Sequence, residues 1–172
     1  MSIRIFPLDA RAAEARLPEL ATVLADAVEN GASVNFMAGL TLEDAAGFWR
    51  RQLPGLADGE KQLLVAEEGG VIVGTILLML AQQPNAPHRA EIGKMLVQSS
   101  QRRRGLGRRL LAAAESAARG AGRTLLMLDT ESGSAGEHLY KACGWTEFGR
   151  VPDHSHKPDG PLAETTFFYK RL

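Results

Sequence analysis

Apolar residues recur along the chain at two spacings, and the spacing changes from one segment to the next. Short alternating or continuous apolar runs predict β-strands, while apolar residues three and four positions apart predict amphipathic helices. Clusters of glycine, proline and asparagine separate these segments and indicate turns. The predicted strands cover residues 2–6, 63–67, 71–80, 89–97, 124–129, 145–150 and 165–170, and the predicted helices cover 9–29, 41–53, 106–120 and 134–143.

The order of these elements, β-α-α-β-β-β-α-β-α-β-β, predicts a single α/β (α+β) domain over residues 1–172. We expect a mixed parallel and antiparallel sheet of about seven strands, flanked by about four helices. Its centre is a strand–helix–strand crossover from Ile92 to Asp129, which joins two parallel strands. The length of 172 residues is typical of one domain with a sizeable core.

The overall charge and the cysteine content narrow the possible partners and location. The chain has 20 basic and 20 acidic residues, and this neutral balance argues against nucleic acid as the main partner. Cys143 is the single cysteine, which suits a reducing compartment. Residues 1–30 show no apolar leader, and the longest apolar stretch, 71–81, is shorter than the roughly 20 residues that span a bilayer. We therefore expect a cytoplasmic protein with no membrane partner.

One segment departs from this neutral balance. Residues 101–109, QRRRGLGRR, gather five arginines where the helix 106–120 begins. The backbone dipole already gives that end about half a positive charge, so each added cation costs a few tenths of a kcal/mol. The segment therefore predicts that an anionic ligand binds here, although a solvated basic surface or a localisation-like patch is the alternative.

Two well-known phosphate-binding motifs do not fit this segment. A Walker loop needs lysine and serine or threonine after its last glycine, and Arg108 and Arg109 stand there instead. A dinucleotide-binding loop needs a third glycine where this chain has Leu110. What remains is an arginine- and glycine-rich turn that follows a strand and opens a helix. Such a turn offers a polyphosphate free backbone N–H groups, room for close approach at the glycines, and arginine side chains as further donors.

The segments MLVQSSQRRRGLGRRLL, LLMLDT and LYKACGW resemble the GCN5-related N-acetyltransferase (GNAT) superfamily, and the resemblance covers nearly the whole chain. It implies a fold with splayed central strands and acetyl-coenzyme A as co-substrate, with its pyrophosphate on the helix start and its pantetheine arm along the preceding strand. The usual asparagine before the last helix is replaced by Gly133-Ser134. The cofactor-binding residues that the resemblance implies are Met95, Leu96, Val97, Arg102, Arg103, Arg104, Gly105, Leu106, Gly107, Arg108, Ser134 and Tyr140.

Acetyl transfer to an amine needs both an acid and a base. A lysine-like amine has a pKa near 10.4, so only about one molecule in a thousand is nucleophilic at pH 7. The resemblance implies that Tyr140 protonates the departing thiolate, although without it Tyr140 would be an ordinary tyrosine at the rim of a helix. Two carboxylates remain open as the base. Asp129 ends an apolar strand, where a carboxylate is costly unless used or paired. Glu91 lies about 13 Å before Met95 along its strand.

Each carboxylate also has a structural interpretation, because Asp129 could cap a loop and Glu91 could pair with Lys94 or Arg89. The loop 31–39 is open in the same way, as either a lid over the substrate or a segment tucked into the core. We expect no metal, since the loop with Asp153, His154 and His156 lacks a fourth ligand.

The sequence thus predicts an acyltransferase that moves an acetyl group from acetyl-coenzyme A to the primary amine of a small molecule. The expected mechanism is direct attack in a ternary complex, without an acyl-enzyme. Two alternatives are an acetyltransferase of proteins or peptides and a non-catalytic sensor that binds coenzyme A. We expect a monomer or a homodimer.

Overall fold

A computed structural model describes residues 2–172, and within them seven strands form one sheet that six α-helices cover. The strands are β1 (Ile3–Leu8), β2 (Lys61–Glu68), β3 (Val71–Leu80), β4 (Arg89–Val97), β5 (Leu125–Glu131), β6 (Thr146–His156) and β7 (Leu162–Arg171). The helices are α1 (Ala10–Ala15), α2 (Leu17–Glu29), α3 (Leu42–Arg50), α4 (Leu53–Ala57), α5 (Leu106–Gly120) and α6 (Ala135–Ala142), with a 3₁₀ turn at Ser99–Gln101.

The strands lie in the order β1-β2-β3-β4-β5-β7-β6. β4 and β5 run parallel, and the other neighbouring pairs run antiparallel. The parallel pair is joined by α5, as a parallel connection requires. The predicted mixed sheet of about seven strands is therefore confirmed, with the predicted crossover at its centre.

β4 and β5 separate soon after they begin to pair. Their register covers only three pairs, from Arg89 opposite Leu125 to Glu91 opposite Met127. β4 then continues to Val97 without a partner on this side, while β5 stays paired with β7 as far as Glu131. The predicted splay of the central strands is confirmed, and it opens a wedge in the middle of the sheet.

Apolar residues cover both faces of the sheet and form two clusters. On one face, Leu106 and Leu110 of α5 pack with Leu126 of β5 and with Tyr140 of α6. On the other face, α1, α2 and α3 cover β2 and β3, and the buried Trp49 donates its indole N–H to the Leu20 carbonyl at 2.9 Å. The first cluster thus backs the wedge on both β4 and β5, whereas the second covers only β1 to β4 and leaves the other face of β5 open.

Two predicted helices are each broken, so six helices replace the predicted four. The helix predicted over 9–29 divides at Arg16, whose φ of −114° and ψ of 18° leave helical geometry, and Pro18 lies in the first turn of α2. The Arg16 guanidinium binds Glu19 and Glu67, which fixes it at the junction. The helix predicted over 41–53 ends at Arg50, and a short helix follows.

The last two strands are longer than predicted. β6 runs to His156 instead of residue 150, and β7 begins at Leu162 instead of residue 165. Their pairing is interrupted between Val151 and Ser155, where Asp153 has a φ of +53°. Because an irregular edge strand tolerates proline, Pro152 does not end it. No helix within residues 2–172 combines the length and apolar character needed to cross a bilayer.

Candidate active site

The start of α5 exposes a row of unused backbone donors. No side chain caps this helix, and its first backbone bond runs from the Arg109 N–H to the Gly105 carbonyl at 3.2 Å. Within residues 2–172, the six consecutive N–H groups from Arg103 to Arg108 have no hydrogen-bond acceptor. The resemblance also implies Arg102 as a cofactor-binding residue, but the Arg102 N–H points to the Ser99 carbonyl at 3.4 Å.

The backbone of this turn is shaped as a concave anion site. Arg103 and Gly105 have φ values of +62° and +73°, with Arg104 between them at negative φ. Alternation of this kind turns successive N–H groups toward a common point, as in anion-binding nests. The left-handed conformation costs a residue with a side chain roughly 1 kcal/mol, so Gly105 is the residue that suits it.

Carboxylates outside the turn hold it in position. Asp26 of α2 accepts the Ser99 N–H at 2.7 Å and the Ser99 hydroxyl at 2.6 Å. Glu68 at the end of β2 accepts Arg104 at 3.0 Å and the Gln101 side chain at 2.9 Å. The Arg104 guanidinium lowers the pKa of Glu68, which keeps that carboxylate charged. The free donors are therefore mounted on a braced loop.

The five arginines of this segment divide into two groups. Arg104 pairs with Glu68, Arg109 donates to the Ile3 carbonyl at 2.9 Å, and Arg102 donates to the Val97 carbonyl at 3.4 Å. Arg103 and Arg108 are exposed, and neither makes a hydrogen bond or an ion pair with any residue in 2–172. The charge that is left for a ligand comes mainly from these two side chains.

β4 carries a bulge directly before the residues predicted to hold the pantetheine arm. Leu77 of β3 lies opposite Gly93, but Thr75 lies opposite Leu96, so β4 has one extra residue there. Lys94 in this bulge has a φ of +46°, and its carbonyl accepts the Thr75 hydroxyl at 2.8 Å. Met95, Leu96 and Val97 follow on the unpaired edge that faces the wedge.

Gly107 brings the helix start close to this edge. A Cβ at Gly107 would lie 3.0 Å from Leu139 Cδ2 and 3.8 Å from Met95 Sδ. The missing side chain therefore lets α5 approach α6 and β4 together. As a result, the free amides, the open strand edge and the helix that carries Tyr140 meet at one end of the wedge.

Tyr140 is buried at this junction, and its side chain is 6% exposed. Its ring centroid lies 6.0 Å from those of Trp145 and Phe168. The hydroxyl makes no hydrogen bond within residues 2–172, yet it is not sealed from solvent. Burial raises the pKa of Tyr140 above its usual value, and the charge of Asp129 adds to this. Tyr140 therefore remains a proton donor at neutral pH.

The two predicted carboxylates, Glu91 and Asp129, lie on one face of the sheet, and Tyr140 packs on the other face. Glu91 pairs with Met127, so it shares a face with Met127 and Asp129, whereas Leu126 and Leu128 face the cluster with Tyr140. Both carboxylates are exposed. The expectation that Asp129 is desolvated is therefore wrong, because the wedge leaves that side of β5 uncovered.

Neither structural alternative for these carboxylates is seen within residues 2–172. Asp129 accepts no hydrogen bond that would cap a loop, and Glu91 forms no ion pair with Lys94 or Arg89. The charge of Asp129 acts on both Tyr140 and Lys94.

Sequence reasoning missed Lys94 as a site residue. Its side chain is half-buried, with Nζ 5.0 Å from the Phe48 ring centroid and 6.0 Å from that of Phe36. Burial lowers the pKa of Lys94, and the charge of Asp129 opposes that shift. The only available signal was a lysine inside the apolar run IGKMLV. Phe36 packs against Phe48, which agrees with the core alternative for that residue, while Met37 is 51% exposed, and the lid alternative stays a prediction.

Ser134 has a local role at the start of α6. Its hydroxyl accepts the Glu137 N–H at 3.2 Å and lies 3.1 Å from the Thr130 hydroxyl. A contact between Ser134 and the pantetheine arm stays a prediction.

The histidines of the β6–β7 hairpin lie apart from one another. His156 Nδ1 is 2.6 Å from the Gly160 carbonyl, whereas the His154 ring lies edge-on to Phe167 at 5.5 Å. Among residues 2–172, no three histidine, cysteine or acidic side chains come together as metal ligands. A cleft of about 810 Å³ opens between the end of α2 and residues 157–159, but none of the predicted site residues lines it.

A mixed seven-stranded sheet that splays beside an uncapped, glycine-containing helix start is the arrangement that the GNAT resemblance implies. The model of the acetyltransferase (GNAT) family matches residues 20–145. The chain therefore belongs to the GNAT family and is an acyltransferase.

Solved structures agree with this fold over almost the full length. A ribosomal-protein-alanine N-acetyltransferase from Brucella melitensis is 27% identical, with a TM-score of 0.77 and 100% of each chain covered. The yncA protein of Salmonella typhimurium, solved with its cofactor acetyl-CoA, is 21% identical, with a TM-score of 0.79, and 100% of this chain and 95% of that chain are covered. An N-acetyltransferase from Staphylococcus aureus Mu50 is 17% identical, with a TM-score of 0.81 and 99% of each chain covered.

Proposed function

We propose that this protein transfers the acetyl group of acetyl-coenzyme A to the primary amine of a small molecule, by direct attack in a ternary complex. The observation that carries the proposal is the junction of three features at one end of the wedge. These are the six free N–H groups of 103–108, the unpaired edge of β4 after Lys94, and the hydroxyl of Tyr140.

The donor is held by main-chain groups in this proposal. The pyrophosphate accepts hydrogen bonds from the amides of 103–108, and Arg103 and Arg108 add charge to its outer oxygens. The pantetheine arm lies along Met95, Leu96 and Val97 as an added strand would. The acetyl-CoA of the Salmonella protein supports the choice of donor, since that protein shares the fold.

Tyr140 is the acid in the proposed reaction. The amine attacks the thioester carbonyl, the carbon–sulfur bond breaks, and the sulfur takes the Tyr140 proton or a strong hydrogen bond from it. A backbone N–H near Leu96 stabilises the oxyanion that forms during attack. The raised pKa of Tyr140 keeps the hydroxyl protonated, which suits a hydrogen-bond donor to the departing thiolate. Full transfer of the proton would be uphill, because a thiol is a stronger acid than this hydroxyl.

Asp129 is favoured over Glu91 as the base. Glu91 lies at the closed end of the wedge, where β4 and β5 still pair, whereas Asp129 lies beyond that pairing, on the part of β5 that borders the open wedge. An exposed carboxylate can also pass the proton of the amine to solvent. The pH–rate profiles of Asp129→Asn and Glu91→Gln compare the two roles, and the loss of the lower-pH limb in Asp129→Asn alone supports this assignment.

The acceptor side supports a small molecule over a long peptide. The loop 31–41 is joined to the β6–β7 hairpin by a hydrogen bond from the Ala38 N–H to the Pro158 carbonyl at 2.9 Å. This bridge ties the loop that carries Phe36 to the hairpin, and we propose that it limits the room for a peptide substrate, which needs an open groove. The stretches NGASVNFMA, AEIGKMLV and LDTESGS are also similar to tabtoxin resistance protein. A protein named as a phosphinothricin N-acetyltransferase shares the fold. An amino-acid-like amine, toxin or antibiotic is the acceptor that these similarities suggest.

The second candidate is acetylation of protein N-termini. It is favoured by the 27% identity to the Brucella ribosomal-protein-alanine N-acetyltransferase. In either case we propose a cytoplasmic enzyme that acts as a monomer or homodimer without nucleic acid.

A thiol-release screen tests the proposal. Purified protein and acetyl-coenzyme A are mixed with a panel of small amines and with alanine- and serine-starting peptides, and free thiol is recorded. Turnover with small amines supports the first candidate, and turnover with peptides alone supports the second. Tight binding of coenzyme A by calorimetry with no turnover on any acceptor would identify a non-catalytic sensor instead.

A further inference from the structure

Lys94 is a cation that the fold holds in a strained and half-covered position. It has a φ of +46°, and a residue with a side chain rarely adopts this conformation unless its surroundings fix it. The buried Thr75 hydroxyl holds the backbone in this conformation, because it donates a hydrogen bond to the Lys94 carbonyl at 2.8 Å. The bulge thus directs one specific side chain onto the face of the sheet that carries Asp129 and Glu91.

The charge of Lys94 has no carboxylate partner in residues 2–172. Two other well-covered cations differ in this respect, because Arg16 binds Glu19 and Glu67, and Lys170 binds Glu115 at 2.9 Å. The ammonium of Lys94 instead lies near the rings of Phe48 and Phe36. Aromatic rings stabilise a cation only in part, and they leave its N–H donors available.

The position of Lys94 relative to the proposed reaction is also specific. It directly precedes Met95, where the pantetheine edge begins, and it faces the same side of the sheet as Asp129. An acceptor amine that is drawn toward Asp129 therefore extends past the Lys94 ammonium. A negative group on such an acceptor would gain the ion pair that the protein does not provide.

We infer that Lys94 is a specificity-determining residue that binds an oxyanion group, such as a carboxylate, carried by the acceptor amine. This inference rests on the proposed function, and it goes further by assigning opposite charges to the two ends of the acceptor. In this inference the ammonium end lies at Asp129, and the acid end lies at Lys94, beside Phe36 and Phe48.

Matched pairs of acceptors test this inference. The twenty common amino acids and their carboxamides are compared in the thiol-release assay, with rates expressed per unprotonated amine because the amides have more acidic ammonium groups. The wild-type protein is expected to prefer the best acid over its amide by at least tenfold in kcat/KM. An aminoalkyl phosphonate and its neutral ester form a second pair, which shows whether the oxyanion must be a carboxylate.

Two variants sharpen the result. Lys94→Met keeps the length and apolar contacts, and it is expected to lower kcat/KM for the acid at least tenfold, mainly through KM, while the amide changes less than twofold. Lys94→Arg is expected to restore much of the preference for the acid. The affinity of each variant for coenzyme A is measured by calorimetry, and it should match that of the wild type.

The outcomes separate this inference from the proposed function. If the wild type acetylates neutral amines as well as it acetylates acids, or if Lys94→Met slows both members of a pair equally, the inference is overturned while the acetyltransferase proposal stands. If no amine is acetylated although coenzyme A binds, both fail together.

Discussion

Two helices on the same face of the sheet begin in opposite ways. α6 begins with its donors satisfied, because Ser134 accepts the Glu137 N–H and the Glu137 carboxylate accepts the Gly133 N–H. α5 begins at Gly105 with no side-chain acceptor and with Arg108 in its first turn. A helix start whose backbone N–H groups have acceptors within the protein can hold a side chain in a fixed position. A helix start with free N–H groups can bind an anionic ligand. In the proposed function, the chemistry therefore belongs to α6 and the binding of the donor to α5.

The largest effect is expected from the side chain that α6 holds. Tyr140→Phe should lower kcat about 10²- to 10⁴-fold, because the departing thiolate loses its proton donor. The affinity for coenzyme A should stay within about twofold, since α5 is untouched. Tyr169→Phe is the matched control, as Tyr169 lies in β7 beside Phe148 and outside the wedge. Equal turnover in the two variants and the wild type would remove Tyr140 from the mechanism.

The next effect is expected at the open start of α5. Gly105→Ala keeps the helix but disfavours the left-handed turn, and the dissociation constant for coenzyme A should rise at least tenfold, or about 1.4 kcal/mol. Gly122→Ala is the control, because Gly122 has a φ of +72° at the other end of the same helix. Both variants should lose about 1 to 2 kcal/mol of unfolding free energy. Weakened binding in both would mean that the loss is one of stability alone.

A smaller effect is expected from the two arginines without protein partners. Replacing Arg103 and Arg108 together by glutamine should weaken coenzyme A binding about three- to tenfold, and the difference should shrink as salt is added. Arg119→Gln removes an exposed charge from the last turn of α5 and should leave binding unchanged. Calorimetry at low and high ionic strength makes this comparison, and a salt-independent loss would contradict it.

The smallest effect on function is expected at the closed start of α6. Glu137→Gln should lower the unfolding free energy by about 1 to 2 kcal/mol at pH 7, with coenzyme A affinity unchanged. Lys141 lowers the pKa of the Glu137 carboxyl, and the Gly133 N–H lowers it further. Because the folded pKa lies below the unfolded one, this stabilisation is complete above about pH 4.5 and is lost as the pH falls through the folded pKa.

Denaturant unfolding at pH 7 and at pH 4 measures this last difference. The gap between Glu137→Gln and the wild type should narrow at the lower pH. A gap that widens on acidification would show that the neutral form of Glu137 is the stabilising one.

Much of the fold could be predicted because its signals are local. The apolar spacing in 106–120 and the turn at 68–70 each report on their own segment. The arginine cluster was informative for a similar reason, since charge at a helix start conflicts with the dipole whatever the rest of the chain does. The splay of β4 from β5 followed only from the family resemblance, because nothing in either strand forbids further pairing.

The errors arose where distant parts of the chain decide the outcome. The break at Arg16 has one local signal, Pro18 in the first turn of α2, but the contact of Arg16 with Glu67 in β2 could not be read from the spacing within 9–29. The bulge that directs Lys94 depends on the hydroxyl of Thr75 in β3. Asp129 was expected to be covered because its strand is apolar, but the wedge beside β5 leaves it exposed.

The three-pair seam between β4 and β5 has a consequence for the stability of the whole domain. Few backbone hydrogen bonds join the half of the sheet formed by β1 to β4 to the half formed by β5 to β7. The two halves are therefore held together mainly by side-chain packing and by α5. Acetyl-coenzyme A bound in this gap would pair with the edge of β4 that β5 leaves unpaired. In the proposed complex the co-substrate is therefore a structural component of the folded domain, and the melting temperature should rise with its concentration.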